Sequence, residues 1–172
     1  YQLDVRVARI FNTYGPGMQA DDGRVISNFI TQALSGADLT IYGDGKQTRS
    51  FCYIDDTVEG LFLLATKENL AGAVINLGAS EEKSIIEIAT LIIALSKSSS
   101  GLVFSALPEN DPEKRCPDIS RAKNLLSWTP QVTLADGLAR TINFFRRREH
   151  FPNYRITTNY RRNILENISP IS

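Results

Sequence analysis

One histidine and two cysteines in 172 residues leave little from which to build a metal site. His150, Cys52 and Cys116 cannot be arranged in any of the usual Cys/His zinc patterns, and two cysteines make no disulfide framework; both are read as free thiols. Nucleophilic hydrolase chemistry is disfavoured on the same ground, because no polar loop holds a Ser/His or Cys/His pair. His150 sits at a basic helix end, where interaction with the helix dipole accounts for it. An excess charge of either sign is absent too. The 19 Lys+Arg balance 19 Asp+Glu, so there is no long-range cationic field for non-specific nucleic-acid binding, and no nucleic-acid partner is expected. Apolar runs such as Leu61 to Ala65 fall far short of the ~20 residues of a membrane span, so no membrane segment is expected in this chain. No G-x-G-x-x-G occurs: Gly15-x-Gly17 and Gly43-x-Gly45 both lack the third glycine, so a complete dinucleotide-binding half is missing from the chain as it stands. The opening residues, Tyr1-Gln-Leu-Asp-Val-Arg, carry neither an initiator methionine nor the order of a signal peptide. The expectation is a piece of a longer chain.

What is present is ordinary globular composition, 42% hydrophobic and 22% charged, in a length that buries roughly 70% of the surface of its unfolded state. Val5 to Phe11 reads as a buried strand, stopped by the turn formers Asn12-Thr13-Tyr14-Gly15-Pro16-Gly17. From Arg24 to Ser35, Val25, Ile26, Phe29, Ile30, Ala33 and Leu34 recur at helical spacing, and Gly36 is placed to close the helix. Leu39 to Tyr42 is a short strand that Gly43-Asp44-Gly45 turns into a second, Arg49 to Tyr53, as a hairpin-like excursion. Asp55 or Asp56 is placed to cap a helix burying Val58, Leu61, Phe62 and Ala65. Ala73 to Leu77 is the next strand, and Ser84 with Glu87 forms a capping box for a helix carrying Ile85, Ile88, Ala89, Ile92 and Leu95. Leu102 to Ser105 is a strand, and Pro108 to Asp118, rich in proline and charge, is a loop. Ser120 starts a short helix ending near Trp128. Thr133 and Asp136 cap a last one bearing Leu134, Leu138, Ile142 and Phe145. Strands alternating with helices make an α/β chain, and periodicity is lost from Phe151 to Ser172, an irregular tail.

Three loops concentrate polar residues that a core does not need. Asn12-Thr13-Tyr14-Gly15-Pro16 lies at the C-terminal end of a strand, where open α/β sheets place ligands, although an Asx-turn explains an Asn there equally well. In Tyr42-Gly43-Asp44-Gly45-Lys46-Gln47-Thr48-Arg49 the glycines admit a ligand to the backbone, and Arg49 offers a bidentate fork for a phosphate. A plain hairpin with a surface arginine accounts for the same letters. In Asp111-Pro112-Glu113-Lys114-Arg115-Cys116-Pro117-Asp118 the prolines hold the backbone around Arg115, against the alternative of a solvated charge run.

Taken in order, RVARIFNTYGPGM, DDGRVISNFI, LTIYGDGKQTRSFCYIDD, VEGL, INLG and DPEKRCPDISRAKNLLSWTP resemble the C-terminal portion of the extended short-chain dehydrogenase/reductases acting on nucleotide sugars. Asp22-Gly23-Arg24, Gln47-Thr48-Arg49-Ser50-Phe51 and Asp111-Pro112-Glu113-Lys114-Arg115 together resemble most the UDP-glucuronate decarboxylases among them. The resemblance covers Val5 to about Arg148. It implies a Rossmann-like fold of which residues 1–150 supply mainly the small substrate-binding domain, the first strand belonging to the Rossmann sheet. It also implies an NAD-dependent, redox-neutral reaction: C4 of UDP-glucuronate is oxidised, the β-keto acid loses carbon dioxide, and the ketone is reduced again to UDP-xylose. Carried over by position, Asn12 matches a substrate contact near the diphosphate, Thr13 lies beside the nicotinamide, and Arg24 matches a cofactor contact. Tyr42 to Gln47 match the segment around the uridine, Arg49 a diphosphate-binding arginine, and Arg115 the active-site arginine near the sugar carboxylate. Gly17 stands where the family usually has Arg, and Cys116 where it usually has Lys.

The resemblance further implies that the glycine-rich loop, the active-site Thr/Ser and Glu, and the Tyr-x-x-x-Lys pair lie upstream of Tyr1, so this chain alone is expected to be inactive. A homodimer is expected of the complete enzyme, in the cytoplasm, or in the Golgi lumen if an N-terminal anchor exists. A 4,6-dehydratase or 4-epimerase of the same superfamily is the nearest alternative, and the Lys114-Arg115 loop argues for decarboxylation over it because those reactions have no substrate carboxylate to hold. A non-catalytic nucleotide-sugar binding module is the alternative of another class.

Overall fold

The computed structural model describes residues 3–106 and 114–150. Nine short strands and four α-helices alternate among these residues: β1 (Val7–Ile10), β2 (Thr13–Tyr14), α1 (Val25–Ser35), β3 (Leu39–Tyr42), β4 (Thr48–Ser50), β5 (Cys52–Tyr53), α2 (Ile54–Thr66), β6 (Val74–Leu77), β7 (Glu82–Ser84), α3 (Ile85–Ser96), β8 (Leu102–Ser105), β9 (Lys114–Arg115) and α4 (Leu134–His150). Residues 151–172, the expected tail, and Pro108 to Glu113 of the expected loop lie outside the described residues.

Local signals hold at the helix ends. Gly36 closes α1 with φ of 75°, its turn donating back to Ala33 and Gln32, because only a residue without Cβ takes this conformation freely. Ser84 accepts the Glu87 N–H while the Glu87 carboxylate reaches back to the Ser84 N–H, so the capping box is complete. Thr133 caps α4, accepting from the Asp136 N–H and donating to its carboxylate. From Ser120 the chain turns helically and widens to a π-helix over Ala122–Leu126, closed by Ser127 in the left-handed region.

Long-range pairing departs from the sequence reading. There is no hairpin between Leu39 and Tyr53. β3 pairs in parallel with β8, Ile41 opposite Phe104. β4 lies between antiparallel β7 and parallel β9, so the glycine turn sends the chain from one sheet to another. The expected loop around Arg115 thus includes a strand. The segment expected as one strand from Arg49 to Tyr53 divides at Phe51, and its second half pairs with β2. β1 pairs with β6, Val7 opposite Val74, yet it is no buried strand: Val7 and Ile10 are 44% and 54% exposed. β6 is its one neighbour among the described residues, which leaves its other edge and much of its surface uncovered.

In α2 the buried stripe is rotated from the expected one. Thr57, Gly60 and Leu64 face inward, while Val58 and Phe62 are exposed. Gly60 sets this rotation, because a Cβ there would stand 2.8 Å from Leu77 and 3.1 Å from the Trp128 ring. Neither Asp55 nor Asp56 is an N-cap; Tyr53 holds that position without a side-chain cap. Asp56 is buried and clasps the chain 75 residues on, its carboxylate accepting from the Gln131 N–H at 3.0 Å and its carbonyl from Trp128 Nε1 at 2.9 Å. Two apolar clusters result. One joins α1, β3, α3 and α4 through Ile30, Leu39, Ile88, Ile92 and Leu138; the other joins α2, β6 and the π-helix through Leu64, Ile75, Leu77 and Leu126. Each of these fully buried aliphatic side chains contributes up to about 1.5–3 kcal/mol.

Candidate functional site

The three polar loops and the start of α1 border one cavity of about 1160 Å³. Asn12, Thr13, Arg24, Tyr42, Gln47, Arg49 and Arg115, all seven residues singled out in the sequence, line it.

The floor is built by β2 against β5. Cys52 N–H donates to the Asn12 carbonyl at 2.9 Å, and the Asn12 amide reaches the Ser50 carbonyl at 3.4 Å, so Asn12 is held by strand pairing and not by a local Asx-turn. Thr13 donates to the Phe11 carbonyl at 3.0 Å and lies 3.1 Å from the Thr57 hydroxyl. Tyr14, beside them, donates to the Leu134 carbonyl at 3.2 Å. Burial pushes its phenol far above the ordinary range, so it stays protonated and serves packing. Gly137 lets α4 approach this ring: a Cβ there would lie 2.1 Å from the Tyr14 oxygen. Cys52, equally enclosed, has its thiol pushed up to about 11 by desolvation, which leaves it an unreactive packing group.

The sheet of β7, β4 and β9 forms the cationic wall. Its entrance is the turn after β3, where Gly43 N–H donates to Ser105. Hydrogen bonds from the Lys46 backbone and side chain hold the Asp44 carboxyl below its usual range. Gly45 has φ of 69°, and a Cβ would stand 2.5 Å from Ile86 and 2.8 Å from Ile41. The turn therefore fits against α3 only as glycine. Beyond it Gln47 Nε2 donates to the Tyr42 carbonyl at 2.8 Å, tying the two residues together. Arg49 is 8% exposed, with Nη1 on the Thr48 carbonyl at 2.8 Å, which removes the alternative of a surface arginine on a hairpin. Its register partner across the parallel pair is Arg115. Parallel partners project to the same face, so the strand pairing places two guanidinium side chains side by side on this wall, a geometry suited to an anion. Arg115 is exposed, and the Ser50 hydroxyl donates to its carbonyl at 3.4 Å.

Arg24 belongs to the rim. Its side chain is 66% exposed, with Nε 3.5 Å from Asp22; the same carboxylate accepts the Arg24 N–H and the Ser27 hydroxyl, bracing the start of α1. Among the polar lining residues, Arg9, Asn28, Gln32 and Thr40 lie outside the three loops and were not singled out in the sequence. For Asn28 and Gln32 a signal existed, since two carboxamides at i and i+4 share one helix face. Arg9 sat inside a run read only as a strand.

Residues 1–78 match the NAD dependent epimerase/dehydratase family. The chain is 49% identical over 152 residues to a UDP-glucuronic acid decarboxylase 1 of Xenopus tropicalis, and 51% identical over the same length to that of Danio rerio. Each match takes in 88% of this chain and 36% of the relative, so the chain spans about a third of the length of the curated relatives it matches. Among solved structures it is similar to a UDP-glucuronic acid 4-epimerase from Bacillus cereus in complex with UDP-glucuronic acid and NAD, with TM-score 0.78 and 36% identity over 84% of this chain and 46% of that one.

Proposed function

The chain belongs to the NAD dependent epimerase/dehydratase family, and we propose that it supplies the nucleotide-sugar-binding part of an enzyme that converts UDP-glucuronate to UDP-xylose and carbon dioxide. The observation that carries this reading is the in-register pair Arg49 and Arg115 on the wall of one cavity with Asn12, Thr13 and Arg24. A UDP-sugar acid carries two kinds of anion, a diphosphate and a carboxylate, and two guanidiniums of unequal exposure suit the two. Arg49, enclosed and held by Thr48, is the fixed fork for the diphosphate. Arg115, exposed on the neighbouring strand, is free to meet the sugar carboxylate and to hold it while carbon dioxide departs. Asn12 orients the substrate between them.

Thr13 and Arg24 fit NAD: one is a fixed hydroxyl on the cavity floor, the other a rim guanidinium open to a phosphate. NAD supplies the reversible hydride exchange that keeps the reaction redox-neutral. Residues 1–150 in this reading are the substrate-binding part, with β1 a strand of the Rossmann sheet, and the complete enzyme is a homodimer.

A second reading has a specific observation behind it, the likeness to a 4-epimerase solved with UDP-glucuronic acid. That likeness removes the argument that an arginine for a carboxylate separates decarboxylation from epimerisation, since such an epimerase meets the same carboxylate. Greater identity with the decarboxylases over most of the chain favours the first reading. The test is to incubate the whole protein with UDP-glucuronate and follow carbon dioxide and the product sugar. UDP-xylose with stoichiometric carbon dioxide is expected; UDP-galacturonate without carbon dioxide would sink the decarboxylase reading.

A further inference from the structure

The far end of β6 touches the chain beside two residues of the cavity, Asn12 and Arg115. β1 and β6 run in register from Val7 with Val74 to Ile10 with Leu77, and the Phe11 N–H continues the ladder to the Leu77 carbonyl at 2.9 Å. Asn76 and Gly78, two residues apart, belong to one face of β6. The chain that leaves β9 crosses this face. Asn76 Nδ2 donates to the Asp118 carbonyl at 2.9 Å, and Pro117 is buried against Gly78. A Cβ on Gly78 would stand 2.8 Å from Phe11 Cβ and 2.9 Å from Pro117 Cγ, so Phe11 and Pro117 meet across a gap that only glycine leaves open. Gly78 has no left-handed φ. What the position requires is the space, not the conformation.

The two neighbours of Gly78 are held differently. Phe11 precedes Asn12, and Asn12 is pinned by the Cys52 N–H and, through its own amide, by the Ser50 carbonyl. Pro117 follows Arg115 by two residues, a stretch of backbone no longer than about 7 Å, and it has no N–H to donate. Residues 116–118 are held to β6 and the loop after it by the Asn76 amide and by the Cys116 thiol, which lies 3.5 Å from the Ser80 carbonyl and donates weakly to it. On its other side Arg115 is held by pairing with β4 and by the Ser50 hydroxyl. Arg49 is built into β4 and fixed on the Thr48 carbonyl. Loss of the contacts with β6 is therefore expected to move Arg115 more than Arg49 or Asn12.

We propose that Asn76 and Gly78 are positioning residues, which set the place of Arg115 relative to Asn12 and thereby the preference of the cavity for a sugar that bears a carboxylate. The inference rests on the reading that Arg115 meets that carboxylate, and it adds what holds the guanidinium where it can. A bidentate fork is directional, and a binding group must be kept within about 0.5 Å of its productive place. A small shift of β9 thus releases the carboxylate without loosening the diphosphate on Arg49.

The test titrates the whole protein with UDP, UDP-4-deoxyglucuronate and UDP-4-deoxyglucose. The two sugar nucleotides differ in the carboxylate and lack the C4 hydroxyl that the proposed reaction oxidises, so neither turns over. The unchanged protein is expected to bind the acid at least about tenfold more tightly than the neutral sugar, and Arg115→Ala to bring the two within about twofold. Asn76→Leu removes the donor without adding charge, and Gly78→Ala drives a methyl group between Phe11 and Pro117. Both are expected to lower the preference about threefold to tenfold while UDP binds within about twofold of its affinity for the unchanged protein. A variant that merely loosened the fold would weaken all three ligands together and keep the preference. A preference kept in both variants would overturn the role of the β6 end; if Gly78→Ala does not fold, Asn76→Leu decides alone. No preference for the acid in the unchanged protein, or one that survives Arg115→Ala, would instead overturn the reading of Arg115, so the two failures are distinguishable.

Discussion

Arg49 and Arg24 border the same cavity from opposite kinds of structure. Arg49 is a strand residue, 8% exposed, fixed by Thr48 and flanked by β7 and β9. Arg24 precedes a helix at the end of a glycine-rich loop, two-thirds exposed and braced only by Asp22. The difference is one of prepaid order. The sheet has already immobilised Arg49, whereas a ligand meeting Arg24 must overcome its side-chain entropy and its competition with water. The sheet wall therefore carries affinity and the rim modulates it.

The strongest way to break this contrast is to disturb the turn that delivers the wall. Gly45→Ala adds a Cβ against Ile86 and Ile41 at φ of 69°, and the backbone and packing penalties together come to about 3 kcal/mol of stability, measurable by denaturant unfolding. A wild-type unfolding midpoint would mean that the turn is not fixed by its contact with α3. Next comes Arg49→Ala, expected to weaken UDP about tenfold to a hundredfold in calorimetric titration, with Arg49→Lys recovering only part because the fork is lost. Equal affinity of the lysine variant and the unchanged protein would remove the argument from pre-organisation.

Smaller effects sharpen the comparison. Ser84→Ala removes the cap where β7 passes into α3 and is expected to cost about 1 kcal/mol. The Glu87 carboxyl is held below its ordinary range by the Ser84 side chain and backbone. Its contribution is accordingly complete above the unfolded-state pKa and is lost as the pH falls through the lowered folded-state value. The acid limb of the stability profile should flatten in the variant, and an unaltered limb would exclude the box as its source. Smallest of all, Arg24→Ala is expected to weaken NAD only about threefold at low salt and hardly at all at high salt, as befits an exposed charge. A large, salt-independent loss would place Arg24 with the wall and erase the distinction.

Much of the site was legible because its residues declare themselves locally. Asn12, Arg49 and Arg115 sit in turn-forming, charge-bearing segments that no core needs, and all reach the cavity. Asn28 and Gln32 escaped notice because they lie in a regular amphipathic helix, where a polar residue reads as the solvent face. The helix ends at Gly36, Ser84 and Thr133 were readable for the same local reason. The errors fell where a partner lies far along the chain. Asp56 looked like a cap and is instead a clasp on Gln131 and Val132. Tyr42 and Arg49 looked like two sides of a hairpin and belong to different sheets.

The sequence by itself determined the α/β alternation, the ends of α1, α3 and α4 marked by Gly36, Ser84 and Thr133, and the loop residues of the site, since periodicity, capping and turn chemistry act over a few residues. Only the tertiary structure decided which face of α2 is buried, that β4 lies between β7 and β9, and that Arg49 stands beside Arg115. Register joins residues 66 apart in the chain through hydrogen bonds that every backbone can make. Packing around side chains such as Ile86 and Leu77 selects among those registers, and a local pattern does not contain that choice.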